Sequence, residues 1–267
     1  MKCILTNLQG QGKMPQRYGV ILSKEGKNMI YVTADIHGNM ERYRSLMSKI
    51  DLKPNDTLYV LGDVIDRHPD GIKILLEIMD SENIKMLLGN HEYMMLNALR
   101  PSPKANIFEK VENVRLWHNN GGMVTHDAFI NETLDTKDRI ISFLENLPIN
   151  IDLEVNGKKF KLVHADSLTR YPSFCKAHRR FNPYYDRTEF AVWNRWEIGD
   201  SKPRNYSMIF GHTPTNNYQY QIPFCIYRNG NIIGVDCGAG LPLGRKRGPR
   251  LGCLRLDDMA EFYSDLM

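Results

Sequence analysis

The sequence predicts an α/β chain in which two mixed β-sheets pack together with helices outside, an α/β/β/α order. Three observations carry this. Short apolar runs and helical stretches alternate through the first hundred residues, at nearly constant spacing. The second half is richer in short strands separated by turn signals. Apolar run after apolar run ends alike, often on a small residue, then on Asp, Asn or His.

Residues 1–28 are rich in Gly, Gln, Lys and Asn without a clear period, and are read as an N-terminal arm. One domain is expected from 29 to 267, and Met29, just before the first good strand, is a candidate alternative start. Residues 30–34 read as a buried strand, followed by Asp35-Ile36-His37-Gly38 and a helix over 40–50. A second strand, 57–61, runs into Gly62-Asp63, with a helix over 72–79. A third, 84–88, runs into Gly89-Asn90-His91-Glu92, with a helix over 94–99. Asp35 and Asp63 are 28 residues apart, and Asp63 and Asn90 are 27 apart, the length of one strand–helix unit. Right-handed crossovers then bring all three polar motifs to one carboxyl edge of a parallel sheet.

Pro101 and Pro103 end the third helix. Residues 107–147 read as helical, interrupted at Asn119-Asn120-Gly121-Gly122. A hairpin follows, 149–155 and 160–163, turning at Asn156-Gly157 and ending at His164. Residues 166–190 read as irregular, dense in aromatics and arginines, with a short helix over 191–196. A strand over 207–210 ends at Gly211-His212-Thr213, and further strands are expected at 224–227, 232–235, 251–256 and near Phe262.

Composition narrows the function. With 42% hydrophobic residues the 267-residue chain can bury a sizeable core. A net charge of +4 does not by itself imply nucleic acid. The five cysteines form no Cys-x-x-Cys pair, which argues against thiolate zinc and a disulfide framework and points to a reducing cytosol. No apolar run approaches ~20 residues and the start is too polar for a signal peptide, so a cytoplasmic protein without membrane spans is expected. Walker loops, Gly-x-Gly-x-x-Gly runs and Ser-centred elbows are absent from the sequence.

The chemistry centres on Gly62-Asp63-Val64-Ile65-Asp66-Arg67. Two carboxylates and a guanidinium at the end of a buried strand are costly to fold unless something charged is bound there. A metal-bound phosphate meets that need. Asp35, His37, Asp63, Asn90, His164 and His212 share the strand-end position, and their mixed donors suit Mn, Fe or Zn. Six ligands are too many for one open catalytic ion. They suit two divalent ions about 3.5–4 Å apart, with the central Asp63 as bridge. Such a pair lowers the pKa of a shared water from 15.7 to about 7, giving a metal-activated hydroxide for in-line attack on phosphorus. Arg67 and Arg195 are placed to hold phosphoryl oxygens, and His91 to protonate the leaving oxygen with Asp66 holding its imidazolium.

Asp35-x-His37-Gly38, Gly62-Asp63-x-x-Asp66-Arg67, Gly89-Asn90-His91-Glu92, His164 and Gly211-His212-Thr213 resemble the calcineurin-like metallophosphoesterases of the phosphoprotein phosphatase type. The likeness is to the bacterial and phage branch, with its protein phosphatases and diadenosine tetraphosphatases. Trp193-Asn194-Arg195 and Asp236-x-Gly238-Ala239 resemble two further motifs of that branch. The resemblance implies the metallo-dependent phosphatase fold. It implies one metal on Asp35, His37 and Asp63 and the other on Asp63, Asn90, His164 and His212, with manganese favoured over iron or zinc. It also implies His91 as acid, Asp66 as its partner, and Arg67, Arg195 and Asn90 on the phosphate. The sequence departs from the pattern at His68-Pro69-Asp70, where the family has glycine after the arginine, and beyond His164.

The expected function is a serine/threonine-protein-phosphatase-like phosphomonoesterase acting on phosphoproteins or small phosphates. The alternatives are a bis(5'-nucleosyl)-tetraphosphatase and a non-catalytic scaffold that binds a phosphorylated partner. Tyr171, Phe174, Arg179, Arg180, Phe181, Tyr184, Tyr185 and Arg187 could stack on a base, or simply pack on the core. The basic run 244–250 is read as a solvated turn with polyphosphate binding as the alternative, His126 and His178 as solvated, and His68 as a rim candidate.

Overall fold

The computed structural model describes residues 28–179, 181–184, 186–242 and 248–266. Most of the predicted arm, Arg180, Tyr185 and residues 244–247 of the basic run lie outside the described residues.

Strand β1 (Ile30–Thr33) leads into helix α1 (Met40–Ile50), whose N-cap Asn39 accepts a hydrogen bond from the Arg42 amide. β2 (Thr57–Val60) is followed by α2 (Gly71–Asp80), and β3 (Ile84–Met86) by α3 (Asn90–Leu99). The three strands pair in parallel, Ile30 opposite Thr57 and Leu58 opposite Ile84. Their motifs therefore share one sheet edge, as the repeat spacing predicted.

The helical stretch divides into α4 (Ile107–Trp117), a π-turn over His118–Gly122, α5 (Met123–Ile130) and α6 (Leu134–Glu145). β4 (Asn150–Val155) and β5 (Lys158–Val163) form the hairpin, with Asn156 and Gly157 at positive φ as a two-residue turn of this hand requires. The segment expected to be irregular holds two helices, α7 (Tyr171–Ala177) and α8 (Arg187–Trp193). α8 starts four residues before the predicted short helix because Asp186 caps it, accepting from the amides of Thr188 and Glu189. The Asp186-x-x-Glu189 spacing was a legible start signal.

β6 (Ser207–Phe210), β7 (Tyr227–Asn229) and β8 (Ile232–Gly234) complete a second sheet in the order β4-β5-β6-β8-β7. β9 (Gly252–Arg255) and β10 (Glu261–Tyr263) return to the first sheet, which runs β10-β9-β1-β2-β3. Alternating side chains of β1 face opposite layers. Ile30 and Val32 join Leu153, Leu162, Ile209 and Ile233 in the core between the sheets. Tyr31 joins Leu46, Leu75, Met95 and Ile140 under the helices. A strand buried on both faces reads as a continuous apolar run, which is why these strands were visible in the sequence.

Candidate active site

The strand-end loops are tied to each other before any ligand is considered. The amides of Asp35, His37 and Gly38 donate to the carbonyls of Gly62, Asp63 and Val64 at 3.1, 2.9 and 2.7 Å. Gly211 donates to the His164 carbonyl, joining the second sheet's two site strands. Gly62 has φ +90°, and a Cβ there would lie 2.5 Å from Gly89 Cα and 3.0 Å from His164 Nδ1. Six of the ten non-glycine residues with positive φ among the described residues are Asp35, His37, Asp63, Asp66, Arg67 and His212. Such backbone costs about 1–3 kcal/mol per residue and gathers at functional sites.

Imidazole orientation identifies what the site can hold. His37 Nδ1 lies 3.1 Å from the Ile65 carbonyl, and His164 Nδ1 2.6 Å from the Leu61 carbonyl. A carbonyl can only accept, so both Nδ1 atoms carry the proton and both Nε2 lone pairs face inward. His37 Nε2 is 3.7 Å from Asp63 Oδ2 and 4.0 Å from Asp35 Oδ1. His164 Nε2 is 3.5 Å from Asp63 Oδ1 and 2.9 Å from Asn90 Oδ1. His212 Nδ1 is also 2.9 Å from Asn90 Oδ1, while its Nε2 is buried without a hydrogen-bond partner. Lone pairs pointing at one another repel unless a cation lies among them. Bonds of about 2.0–2.2 Å to a common ion put adjacent ligand atoms roughly 3–3.5 Å apart; the contacts of His164 and His212, at 2.9 and 3.5 Å, lie close to that range, and those of His37, at 3.7 and 4.0 Å, are somewhat wider. The donor set fits divalent metal.

Charge agrees with geometry. Burial pushes Asp35 up well above the usual carboxylate range, with the charges of Asp236 and Asp63 adding. Burial, Asp63 adding, also pushes Asp236 up to about 6, against Arg67, Arg195 and the Gly238 amide. Burial holds His37 and His212 well below the ordinary histidine value and lowers His164, which favours the neutral form a ligand needs. For Asp63 burial opposes ionisation, and positive charge on the surrounding imidazoles, His164 first and then His91, His37 and His212, outweighs it and holds the carboxyl low whenever they are protonated. Of those imidazoles His91 alone is itself raised, and its amide donates to Asp63 Oδ1 at 3.0 Å.

His91 Nδ1 lies 2.7 Å from Asp66 Oδ2. Asp66 is wholly buried and also accepts from the Trp117 indole at 3.0 and 3.2 Å, while its amide donates to Thr125 Oγ1. Burial alone would lower His91; Asp63 and Asp66 reverse that and raise it. Arg67 Nη2 sits 3.3 Å from His91 Nε2, and its amide donates to Gly121 in the π-turn. Arg195 Nη1 donates to Thr213 Oγ1 at 2.9 Å. Both arginines are exposed above buried ligands, and both act on Asp236. Among the described residues two groups of close donor atoms result, His37–Asp63–His91 and Asp63–His164–His212. The predicted site residues thus meet at the strand ends of the two sheets, with His91, expected as the acid, a member of the first group and Asp35, expected as a ligand, beside His37 but outside that group.

Several contributors were not read from the sequence. Glu92 is fully buried and accepts from the amides of Asp63, Val64 and Gly89, clamping the central loop to α3; burial pushes its carboxyl up to about 7. Its place beside His91 was the only signal. Trp117 gave none, since its partner is 51 residues away. His126 is half-buried rather than solvated, 2.9 Å from His118 and against the Trp117 ring. His178 is exposed and stacks on Phe174. Tyr171, Phe174 and Tyr184 pack on Phe190, while Phe181 is 64% exposed. Arg250, at the end of the basic run, is committed to the Phe224 carbonyl, Cys225 and the Tyr263 ring. His68 lies half-buried at the rim, its amide on the His37 and Asp66 carbonyls.

Comparison with known proteins follows the same lines. Residues 29–235 match the family model described as calcineurin-like phosphoesterase. Serine/threonine-protein phosphatase 2 of Escherichia coli (strain K12) is 29% identical over 138 residues, 51% of this chain and 58% of the relative. The symmetrical bis(5'-nucleosyl)-tetraphosphatase of Delftia acidovorans is 26% identical over 149 residues, 54% of this chain and 46% of the relative. The chain spans about half the length of these curated relatives. A cold-active protein-tyrosine phosphatase of a psychrophilic Shewanella shares the fold, with a TM-score of 0.51 at 14% identity, over 99% of this chain and 91% of that one. The chain belongs to the calcineurin-like phosphoesterase family.

Proposed function

We propose that this calcineurin-like phosphoesterase hydrolyses phosphomonoesters, of the kind serine/threonine protein phosphatases take, at a centre for two divalent cations. One observation carries the reading: the Asp63 carboxylate turns Oδ2 to His37 and Oδ1 to His164, one oxygen to each ligand group. A bridged pair of ions needs that arrangement. We assign Asp35, His37 and Asp63 to one ion and Asp63, Asn90, His164 and His212 to the other. Nitrogen and oxygen donors without thiolate suit manganese, which we favour, or iron or zinc. When bound, the pair supplies Lewis acidity, polarising phosphoryl oxygens and bringing the deprotonation of water toward neutrality.

The chain's own residues supply the rest. Arg67 and Arg195 grip phosphoryl oxygens from the two sides of the site, and Asn90 has amide N–H donors to add. Asp66 and Trp117 fix the His91 ring, with Nδ1–H on Asp66. His91 Nε2 then gives its proton to the leaving oxygen as the phosphorus–oxygen bond breaks and the oxygen of water takes its place in line. With His91 protonated, Nε2 and Arg67 Nη2 are two donors 3.3 Å apart, and a substrate oxygen between them accepts from both.

Packing of Tyr171, Phe174 and Tyr184 on Phe190 leaves few free rings for a base and favours the monoester. The exposed Phe181 is what favours dinucleoside polyphosphate hydrolysis as a second reading. No helix among the described residues is long and apolar enough to cross a membrane; we infer a cytoplasmic setting. The test compares p-nitrophenyl phosphate, a phosphoserine peptide and diadenosine tetraphosphate on manganese-loaded protein. Monoester turnover supports the proposal. Faster cleavage of the tetraphosphate moves it to the second reading, and phosphopeptide binding without any turnover makes the chain a scaffold.

A further inference from the structure

We propose that Asp166, Arg170 and Asp200 are positioning residues that hold the backbone on both sides of Arg195 and so aim its guanidinium at the substrate phosphate. The inference rests on the assignment of Arg195 to phosphate made above.

Asp166 lies two residues beyond His164 and is fully buried. Its carboxylate accepts from the Ser167 amide at 2.6 Å, from Arg170 Nη1 at 2.9 and 3.1 Å, and from Asn194 Nδ2 at 2.7 Å. Three donor groups therefore converge on this one side chain, from its own loop, from Arg170 and from Asn194. Asn194 caps the end of α8 through its amide on the Phe190 carbonyl, and its side-chain oxygen accepts from Tyr184 Oη at 3.2 Å. Both ends of the Asn194 side chain are therefore held. On the other side of Arg195, Trp196 is 1% exposed, and Asp200 accepts from the Glu197 amide at 3.1 Å. Arg170 joins the two halves, because its Nη2 donates to Asp200 at 2.8 Å while Nη1 holds Asp166.

Arg195 is thus an exposed side chain on a backbone fixed immediately before and after it, with Thr213 Oγ1 as a hydrogen-bond partner near His212. A buried ion pair is a weak source of stability. Its effect here is geometric: a long side chain anchored on fixed backbone loses less freedom when it closes on an anion.

The experiment measures metal content and competitive inhibition by inorganic phosphate for the wild type, Arg170→Gln and Asp200→Asn, each with and without Arg195→Ala. Arg170→Gln and Asp200→Asn are expected to weaken phosphate inhibition roughly 3–30-fold with metal content unchanged. Neither should weaken it further once Arg195 is alanine, since coupled residues are not additive. An unchanged inhibition constant, equal weakening in the Arg195→Ala background, or metal loss in both variants overturns the network. Asp200 is one-third exposed, so Asp200→Asn keeps the test decisive if Arg170→Gln does not fold. A wild type that binds no phosphate, or an Arg195→Ala protein that binds it as the wild type does, overturns the underlying assignment instead.

Discussion

Gly62→Ala tests whether the site depends on the close approach of its loops. The residue holds φ +90°, where a Cβ costs about 1–2 kcal/mol. The added methyl would sit 2.5 Å from Gly89 Cα and 2.6 Å from Gly89 N, both backbone atoms that cannot swing away. An ordinary carbon contact needs about 3.5–4.0 Å, so the loops must part by roughly 1 Å. Overpacking of this size costs about 1–3 kcal/mol. Together the terms give about 2–5 kcal/mol, a fall in Tm of roughly 5–15 °C for a chain this long. The movement carries Asn90, which follows Gly89, and His164, whose Nδ1 is 3.0 Å from the new methyl, away from Asp63. Metal geometry tolerates about 0.2 Å, so affinity for manganese should fall by 10-fold or more. Calorimetric titration and thermal unfolding read both effects. Gly199→Ala is the control, since its Cβ meets nothing within 4 Å. Wild-type manganese affinity and a Tm within about 2 °C in Gly62→Ala would refute the reasoning.

The other expectations concern the chemistry. His91→Asn should lower turnover of a phosphoserine peptide by roughly 10²–10⁴ with both metals retained, and affect p-nitrophenyl phosphate far less; equal losses on the two substrates would remove His91 from the acid role. Asp63→Asn should leave at most one metal per chain by elemental analysis, and two at full occupancy would disprove the bridge. Trp117→Phe deletes the indole donor to buried Asp66 and should cost about 1.5–3 kcal/mol of stability, read by urea unfolding. Removing metal with a chelator should lower Tm, and adding manganese back should restore it, the stability regained being about 2.7 kcal/mol at a hundredfold excess over Kd; a Tm indifferent to both treatments would argue against a built metal site.

Much of the site was legible because its residues sit at strand ends, where a run of buried apolar residues stops at a polar one. The spacing of Asp35, Asp63 and Asn90 reported a repeated parallel unit, and the structure pairs those strands as expected. The capping signal at Asp186 was present but outweighed by the aromatic and arginine content around it. Trp117 and Thr125 could not be read at all. Their contacts with Asp66 are made by helices more than 50 residues away.

Local order by itself determined which residues are candidates for the chemistry, because hydrophobic period and strand-end composition are properties of neighbours along the chain. Only the tertiary structure decided how they are placed. It folds β9 and β10 back onto the first sheet, sets the imidazole tautomers through the Ile65 and Leu61 carbonyls, and brings Asp166 against Asn194. Those outcomes depend on which groups meet across 28 to 224 residues of chain, and no periodicity encodes a meeting at that range.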